Sequence, residues 1–375
     1  MIKTKSISVF FIFLFFLFSN NIYSSERKPL AAYLIDSLWH IIDYDGKLLF
    51  KPIKLADIQG FSEGYFTVAK VIYKDTVWGF LSMDGRFGVP PSSKWVGLFK
   101  NGYALYANWY PGTGDLKYFG YVRTDGSIVC PPKYLEATEF SDGLAFVMNF
   151  DERGYIDTTC QIVRKFSQGF GEAFYDNLAV VQDSAGNFGY INRDYQIKVK
   201  LDFDEAYNFS EGIARVNKNG LFGFIDTTGD FVAPPVFYTA TDFKETRAFV
   251  GEGENLQSIR WSLISPRGVK LTDHIFIEIN DFSEGLAAVR SEDKWYFINL
   301  MGERFNKSEF EYCGSYKDGL AYARIKEKKK KTAVFTNGFI DITGKFILKI
   351  PSNAKKIIDL RTNKTFQFDE ETTKK

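Results

Sequence analysis

Residues 209–235 read FSEGIARVNKNGLFGFIDTTGDFVAPP, and most of the chain is a set of variations on this stretch. Its opening, an aromatic residue followed two places on by an acidic or polar residue and glycine, recurs at Phe61, Phe99, Phe140, Phe209, Phe282 and Tyr316, with degenerate copies at Phe174 and Phe243. Each is followed by a small or apolar residue at Phe66, Ala104, Ala145, Ala179, Ala214, Ala248, Ala287 or Ala321, positions spaced 34 to 41 residues apart. Leu30-Ala31 supplies the start of a further copy. Self-similarity at such a period is the mark of a repeat architecture and takes precedence over any motif search.

A second signature lies further on in every copy. It is clearest as Trp78-Gly-Phe-Leu, Phe119-Gly-Tyr-Val, Phe188-Gly-Tyr-Ile, Phe222-Gly-Phe-Ile and Trp295-Tyr-Phe-Ile. Weaker forms begin at Trp39, Arg153, Trp261 and Asn337, which gives nine copies of about 36 residues. The residue after it is mostly Asp, Asn or Ser, and Gly46, Gly85, Gly126, Gly229, Gly268, Gly302 and Gly344 follow three places later. An Asp, Asn or Ser side chain accepts from the backbone two residues ahead and glycine takes positive φ, so this is hairpin-turn chemistry and a further strand must follow. That strand often carries a proline pair, Pro90-Pro91, Pro131-Pro132 or Pro234-Pro235, which cannot donate to a ladder and marks a strand end or a sheet edge.

These residues resemble the WG-containing (KWG) repeat family over about residues 30–350. The resemblance implies a tandem array of the kind found in bacterial, often exported, proteins, with no shared catalytic residues. The chain departs from the pattern at His40, Ser262 and Tyr296, where glycine is expected, and at Arg153 and Asn337, where an aromatic is expected.

The predicted fold is all-β with very little helix, because no stretch after the N-terminal apolar run sustains a 3.6-residue apolar period. Alternate side chains of a strand face opposite ways, so Phe222 and Phe224 share one face while Gly223 and Ile225 share the other. Strands apolar on both faces need cover from neighbouring repeats. A closed β-propeller supplies it, with an open β-solenoid as the alternative. The first-position residues Trp39, Trp78, Phe119, Phe188, Phe222, Trp261 and Trp295 are expected to dominate stability, with the glycines admitting an aromatic of the adjacent repeat.

Residues 1–25 carry Lys3 and Lys5, an apolar run from Ile7 to Phe18 and then polar residues, the order of a secretory signal peptide. Residues 26–350 hold the nine repeats and 351–375 form a polar C-terminal tail. Without residues 1–25 the chain has 45 basic and 46 acidic residues, a balance that gives no pull toward nucleic acid or anionic lipid. No membrane association is expected after signal removal. The expected location is outside the cytoplasm: periplasm, cell surface or extracellular. Cys130, Cys160 and Cys313 are odd in number and in no metal-type spacing; small buried hydrophobes are expected, pairing of two being the alternative.

The chemistry is sparse. His40 and His274 are the two histidines, and only Asp273-His274 places a carboxylate beside one, on opposite faces if the segment is a strand. No cofactor or metal site is expected. Acids that recur in every repeat read as turn formers, since an active site needs one copy. Expansions at 73–77, 108–118, 252–260 and 327–336 all fall between the same two strands and therefore emerge on one side of the array. Trp109 and Tyr110 lie in the longest of these and suit a sugar or a peptide, while Lys328–Lys331 reads as a solvated hairpin tip. The expected function is an exported, non-enzymatic scaffold binding protein or glycan through rim loops. The alternatives are a carboxylate-dependent glycan hydrolase and a structural cell-envelope protein.

Overall fold

A computed structural model describes residues 27–109, 116–253, 255, 257–273, 275–329 and 332–367. The signal-peptide segment, Tyr110 and His274 lie outside them. The described residues contain no helix, and their strands form nine antiparallel sheets arranged as a nine-bladed β-propeller. The closed alternative is therefore the one adopted.

With blades numbered in chain order from the one that holds Pro29–Ile35, blade 6 shows the unit. Strand a is Glu205–Ala206, strand b Ile213–Lys218, strand c Leu221–Asp226 and strand d Phe231–Phe237, paired in that order. The a–b connection is the Phe-Ser-Glu-Gly motif folded as a two-residue turn, with Ser210 and Ile213 exchanging both backbone hydrogen bonds. Glu211 and Gly212 take φ of 56° and 77°, the left-handed pair of a type I′ turn. At the c–d turn, Asp226 Oδ1 accepts from Thr228 N and Asp230 N at 2.8 and 3.1 Å, and Gly229 bonds back to Asp226 O at 3.0 Å.

The glycine of the second signature serves a different purpose from the one expected. In blades 2, 3, 5 and 6, strand d carries four residues against two of strand c, as in Phe222↔Phe237 and Phe224↔Ala233. This bulge presses on the glycine: a Cβ at Gly223 would lie 2.7 Å from Pro235 N and 2.8 Å from Ala233 O. The glycine thus admits the backbone of its own blade, not an aromatic of the next. Where His40, Ser262 or Tyr296 replaces it, the described residues form no strand d, and the segment is held by isolated bridges, two per blade, among them Trp39↔Ile53, Trp261↔Phe276 and Trp295↔Phe310. Where Arg153 or Asn337 precedes the glycine, strand d pairs across it without the bulge.

The aromatic load is also redistributed. Of the first-position residues only Trp39 and Trp295 are buried; Trp78, Phe119, Phe188, Phe222 and Trp261 are half-buried. The third position points inward instead, and Phe80, Tyr121, Tyr155, Tyr190, Phe224 and Phe339 are fully buried. Each of several such rings packs on the a–b turn aromatic of the following blade: Phe80 on Phe99, Tyr121 on Phe140, Tyr155 on Phe174, Tyr190 on Phe209, Phe224 on Phe243 and Phe297 on Tyr316, at 4.2 to 5.1 Å between centroids. Tyr121, Tyr155 and Tyr190 add a hydrogen bond to the next blade's carbonyls of Thr138, Glu172 and Tyr207, each 2.7 Å.

Residues 356–367 of the C-terminal segment are part of the ring. Lys356–Asp359 pairs with Pro29–Ile35, and Lys364–Gln367 pairs with Lys356–Asp359, so one blade is built from both ends of the chain. Ile357, Ile358, Leu360 and Phe366 are buried, an apolar set too short to stand out from its charged surroundings. The cysteines are also corrected: Cys130 of blade 3 is disulfide-bonded to Cys160 of blade 4, and Cys313 is free and buried. Cys160 sits at the turn position held elsewhere by glycine, with φ of 65°, and closing a loop of this length contributes about 3–4 kcal/mol in the chain-entropy picture.

Two outcomes follow from this packing. Phe224→Ala removes a fully buried ring at a blade interface and is expected to cost about 3–5 kcal/mol, read by urea denaturation. A chain ending at residue 355 loses the closing hairpin; its radius of gyration by small-angle X-ray scattering is expected to rise and its melting temperature to fall.

Candidate binding face

Strand b runs from the a–b turn to the b–c turn, and strand c returns, so the a–b and c–d turns share one face of the ring and the b–c hairpins occupy the other. The two faces differ in character.

The turn face is occupied by its own structure. Glu63 accepts from Gly102 N of the next blade at 2.9 Å, and Asp176 from Gly212 N at 3.0 Å. Glu211 takes both Glu245 N and Thr246 N, Glu245 takes Glu284 N and Gly285 N, and Glu284 takes Gly319 N, all between 2.7 and 2.9 Å. Asn101 and Ser141 hand on the same connection through Phe140 O and Phe174 O. The closing hairpin completes the circuit: Arg361 donates to Lys317 O and Leu320 O of blade 9, and Asn363 bonds Phe61 N and O of blade 2. Arg361 itself is paired in two places with Asp359, both side chains being almost fully buried. Most acids of the a–b motif are therefore caps, and they cap the neighbour's turn; Asp142 instead accepts from Arg193 and Asp318 from Tyr44.

The hairpin face is different. All the sequence expansions described here prolong b–c hairpins, in blades 2, 3, 7 and 9. Three consecutive blades present aromatics there. Tyr73 at the tip of blade 2 is 99% exposed, Trp109 at the end of strand b of blade 3 is 43% exposed, and Phe150 at the tip of blade 4 is 76% exposed. Val71, Ile72 and Leu116 are exposed among them. Tyr73 holds φ of 49°, an unfavourable conformation for a bulky side chain. Lys94 joins the first two hairpins, with Nζ 2.8 Å from Asp75 of blade 2 and 5.2 Å from the Trp109 ring of blade 3. Asn149 Oδ1 accepts from Asp151 N and Glu152 N, closing the turn from which Phe150 projects. Trp109 was legible from its loop and Tyr73 opens a shorter expansion; nothing in the sequence separates Phe150 from the many buried aromatics.

Where strands a of consecutive blades converge, contacts skip a blade. Lys100 of blade 3 donates to Tyr175 of blade 5 at 3.0 Å, and Lys364 of the closing hairpin to Asn280 of blade 8 at 2.6 Å. Strands a therefore line the ring axis. A cleft of about 460 Å³ there is lined by Phe119, Glu136, Glu139, Phe170, Glu172 and Tyr175, among others. Burial, reinforced by the charge of Glu136, raises the Glu172 carboxyl above its ordinary range. The equivalent positions are Thr138, Tyr207, Thr241 and Asn280, so Glu172 is a single-copy acid. His40 stacks on Tyr33 at 5.1 Å with no carboxylate partner shown, and among the described residues no cluster of three or more potential metal ligands occurs.

This arrangement defines a closed propeller with a self-bonded turn face and an aromatic sector on its hairpin face. Residues 119–149, 188–222, 222–255 and 261–295 match the WG containing repeat, so the chain carries WG repeats. No curated protein matches it by sequence. Among solved structures it is similar to a eukaryotic initiation factor, at 11% identity over 86% of this chain and 96% of that one, with a TM-score of 0.58. A likeness to BamB from Moraxella catarrhalis is weaker, at 11% identity, 72% and 93% coverage and a TM-score of 0.41. At such identities the first likeness shows the fold alone.

Proposed function

We propose that this protein is an exported, non-enzymatic scaffold that binds a protein or glycan through the hairpins of blades 2 to 4. The observation that carries the reading is the run of exposed aromatics, Tyr73, Trp109 and Phe150, on three adjacent hairpins. Rings of this kind offer large contact area at low entropic cost, and a chain that buries most of its aromatics has no packing reason to leave these in water. The disulfide supports export, since such bonds persist in oxidising compartments. The alternating repeats supply rigidity, and the hairpin loops supply what differs between blades.

A second reading is favoured by one observation. Glu172, raised by burial and by its neighbour Glu136 in the axial cleft, resembles the protonated acid that glycoside hydrolysis requires.

The test uses residues 26–375 and the variants Tyr73→Ala, Trp109→Ala and Phe150→Ala on glycan arrays and against envelope protein fractions. Each variant is expected to lose about tenfold or more in affinity, the cost of one interface aromatic, while its melting temperature stays within a degree or two. Unchanged binding in all three would remove the hairpin face from consideration. Release of reducing sugar from polysaccharide by the wild type, abolished in Glu172→Gln, would establish the second reading instead.

A further inference from the structure

The axis holds a second crevice, of about 420 Å³, where blades 7, 8 and 9 meet the closing hairpin. Its walls include Trp261, Glu278, Asn280, Trp295, Tyr312 and Lys364. The volume lies within the range of small-molecule sites. Trp295 is buried as the back wall and packs against Tyr312 at 5.3 Å, while Trp261 and Tyr312 are each half-exposed.

By repeat position this crevice corresponds to the acidic cleft of blades 3 to 5: Trp261 stands where Phe119 does, Glu278 where Glu136 does, and Tyr312 where Phe170 does. The difference is charge. Lys364 comes from Lys364–Gln367, an additional strand that no other blade has. Its ammonium donates to the neutral Asn280 Oδ1 at 2.6 Å and lies 5.7 Å from the Tyr312 ring centre. Among the described residues no carboxylate forms an ion pair with it, and Asp281 acts on it only at longer range. Glu278 is already bonded to Arg290. Although much of the Lys364 chain is exposed, its ammonium is desolvated enough to lower its pKa. A cation held beside one aromatic ring and a neutral amide is short of one anionic partner, and charge-assisted bonds to a carboxylate are among the stronger ones available.

We propose that this crevice binds a small sugar acid, with the ligand carboxylate on Lys364, a ring face against Trp261 and Tyr312, and hydroxyls toward Glu278 and Asn280. The site is separate from the aromatic sector of blades 2 to 4 and does not depend on its role.

The experiment is titration of the full mature chain with D-glucuronate and with D-glucose as the neutral counterpart, followed by tryptophan fluorescence and calorimetry. Saturable glucuronate binding at least tenfold tighter than glucose is expected. Lys364→Met is expected to abolish that preference and Lys364→Arg to keep it, with Tyr73→Ala and Trp109→Ala unchanged. The paired lysine variants keep the test decisive if one of them folds poorly. Absence of saturable glucuronate binding, equal affinity for the two sugars, or a preference that survives Lys364→Met would overturn the proposal.

Discussion

The structure depends on one contact made again and again: the third-position ring of strand c in one blade lies on the turn aromatic of the next. A single sheet of three or four short strands cannot bury rings on both faces, so no blade is a stable unit alone. Placing that ring at the interface makes each blade's core half its own and half its neighbour's. The tyrosines extend the logic, since a buried hydroxyl needs an acceptor and each finds one on the following blade's backbone. Burial and hydrogen bonding therefore both run across interfaces, and the array is stable only when every blade has two neighbours.

That condition cannot be met by an open array, whose end blades would each expose a face. The N-terminal strands lack the Phe-Ser-Glu-Gly turn, and the hairpin around Arg361 and Asn363 supplies its substitute from the other end of the chain. Arg361 is the side chain on which closure rests. It satisfies two carbonyls of blade 9 while its charge is matched by Asp359, and an unpaired guanidinium at that depth would cost several kcal/mol. Closure is thus a specific polar arrangement laid over nonspecific apolar burial.

Much of the fold was legible in the sequence because its signals are local. The Asp-x-x-Gly turn, the Ser-Glu-Gly turn and the two-sided apolar strands each follow from backbone chemistry within five residues. What was not legible is non-local. The pairing of Cys130 with Cys160 depends on two blades meeting. The third-position ring outranks the first because of how blades stack, and strand alternation alone places both on the same face. The glycine's reason lies in a bulge of strand d, ten or so residues away. Residues 356–367 look polar because their few apolar residues sit among charged ones, and only the vacancy in the first blade gives Ile357 and Phe366 something to cover. For the binding face the limit is sharper still: Trp109 declares itself by its loop and Tyr73 only opens a short expansion, whereas Phe150 is distinguished only by where its hairpin ends.

Repetition also locates function by subtraction. Whatever recurs, the turn acids, the alanines, the signature glycines, is accounted for by closure and stacking. What breaks the repeat has no such account. The exposed ring of Tyr73 sits in a conformation that an asparagine or glycine would take at lower cost, as Asn219-Gly220 does at the matching tip of blade 6. Nothing in the fold repays that strain, since the ring is almost wholly exposed, and under the proposed function it serves a contact outside the chain. The axis makes the same case in charge: two crevices equivalent by repeat differ in a buried acid at one and an added lysine at the other. A scaffold whose regular part is occupied in holding itself together has only these departures with which to recognise anything else.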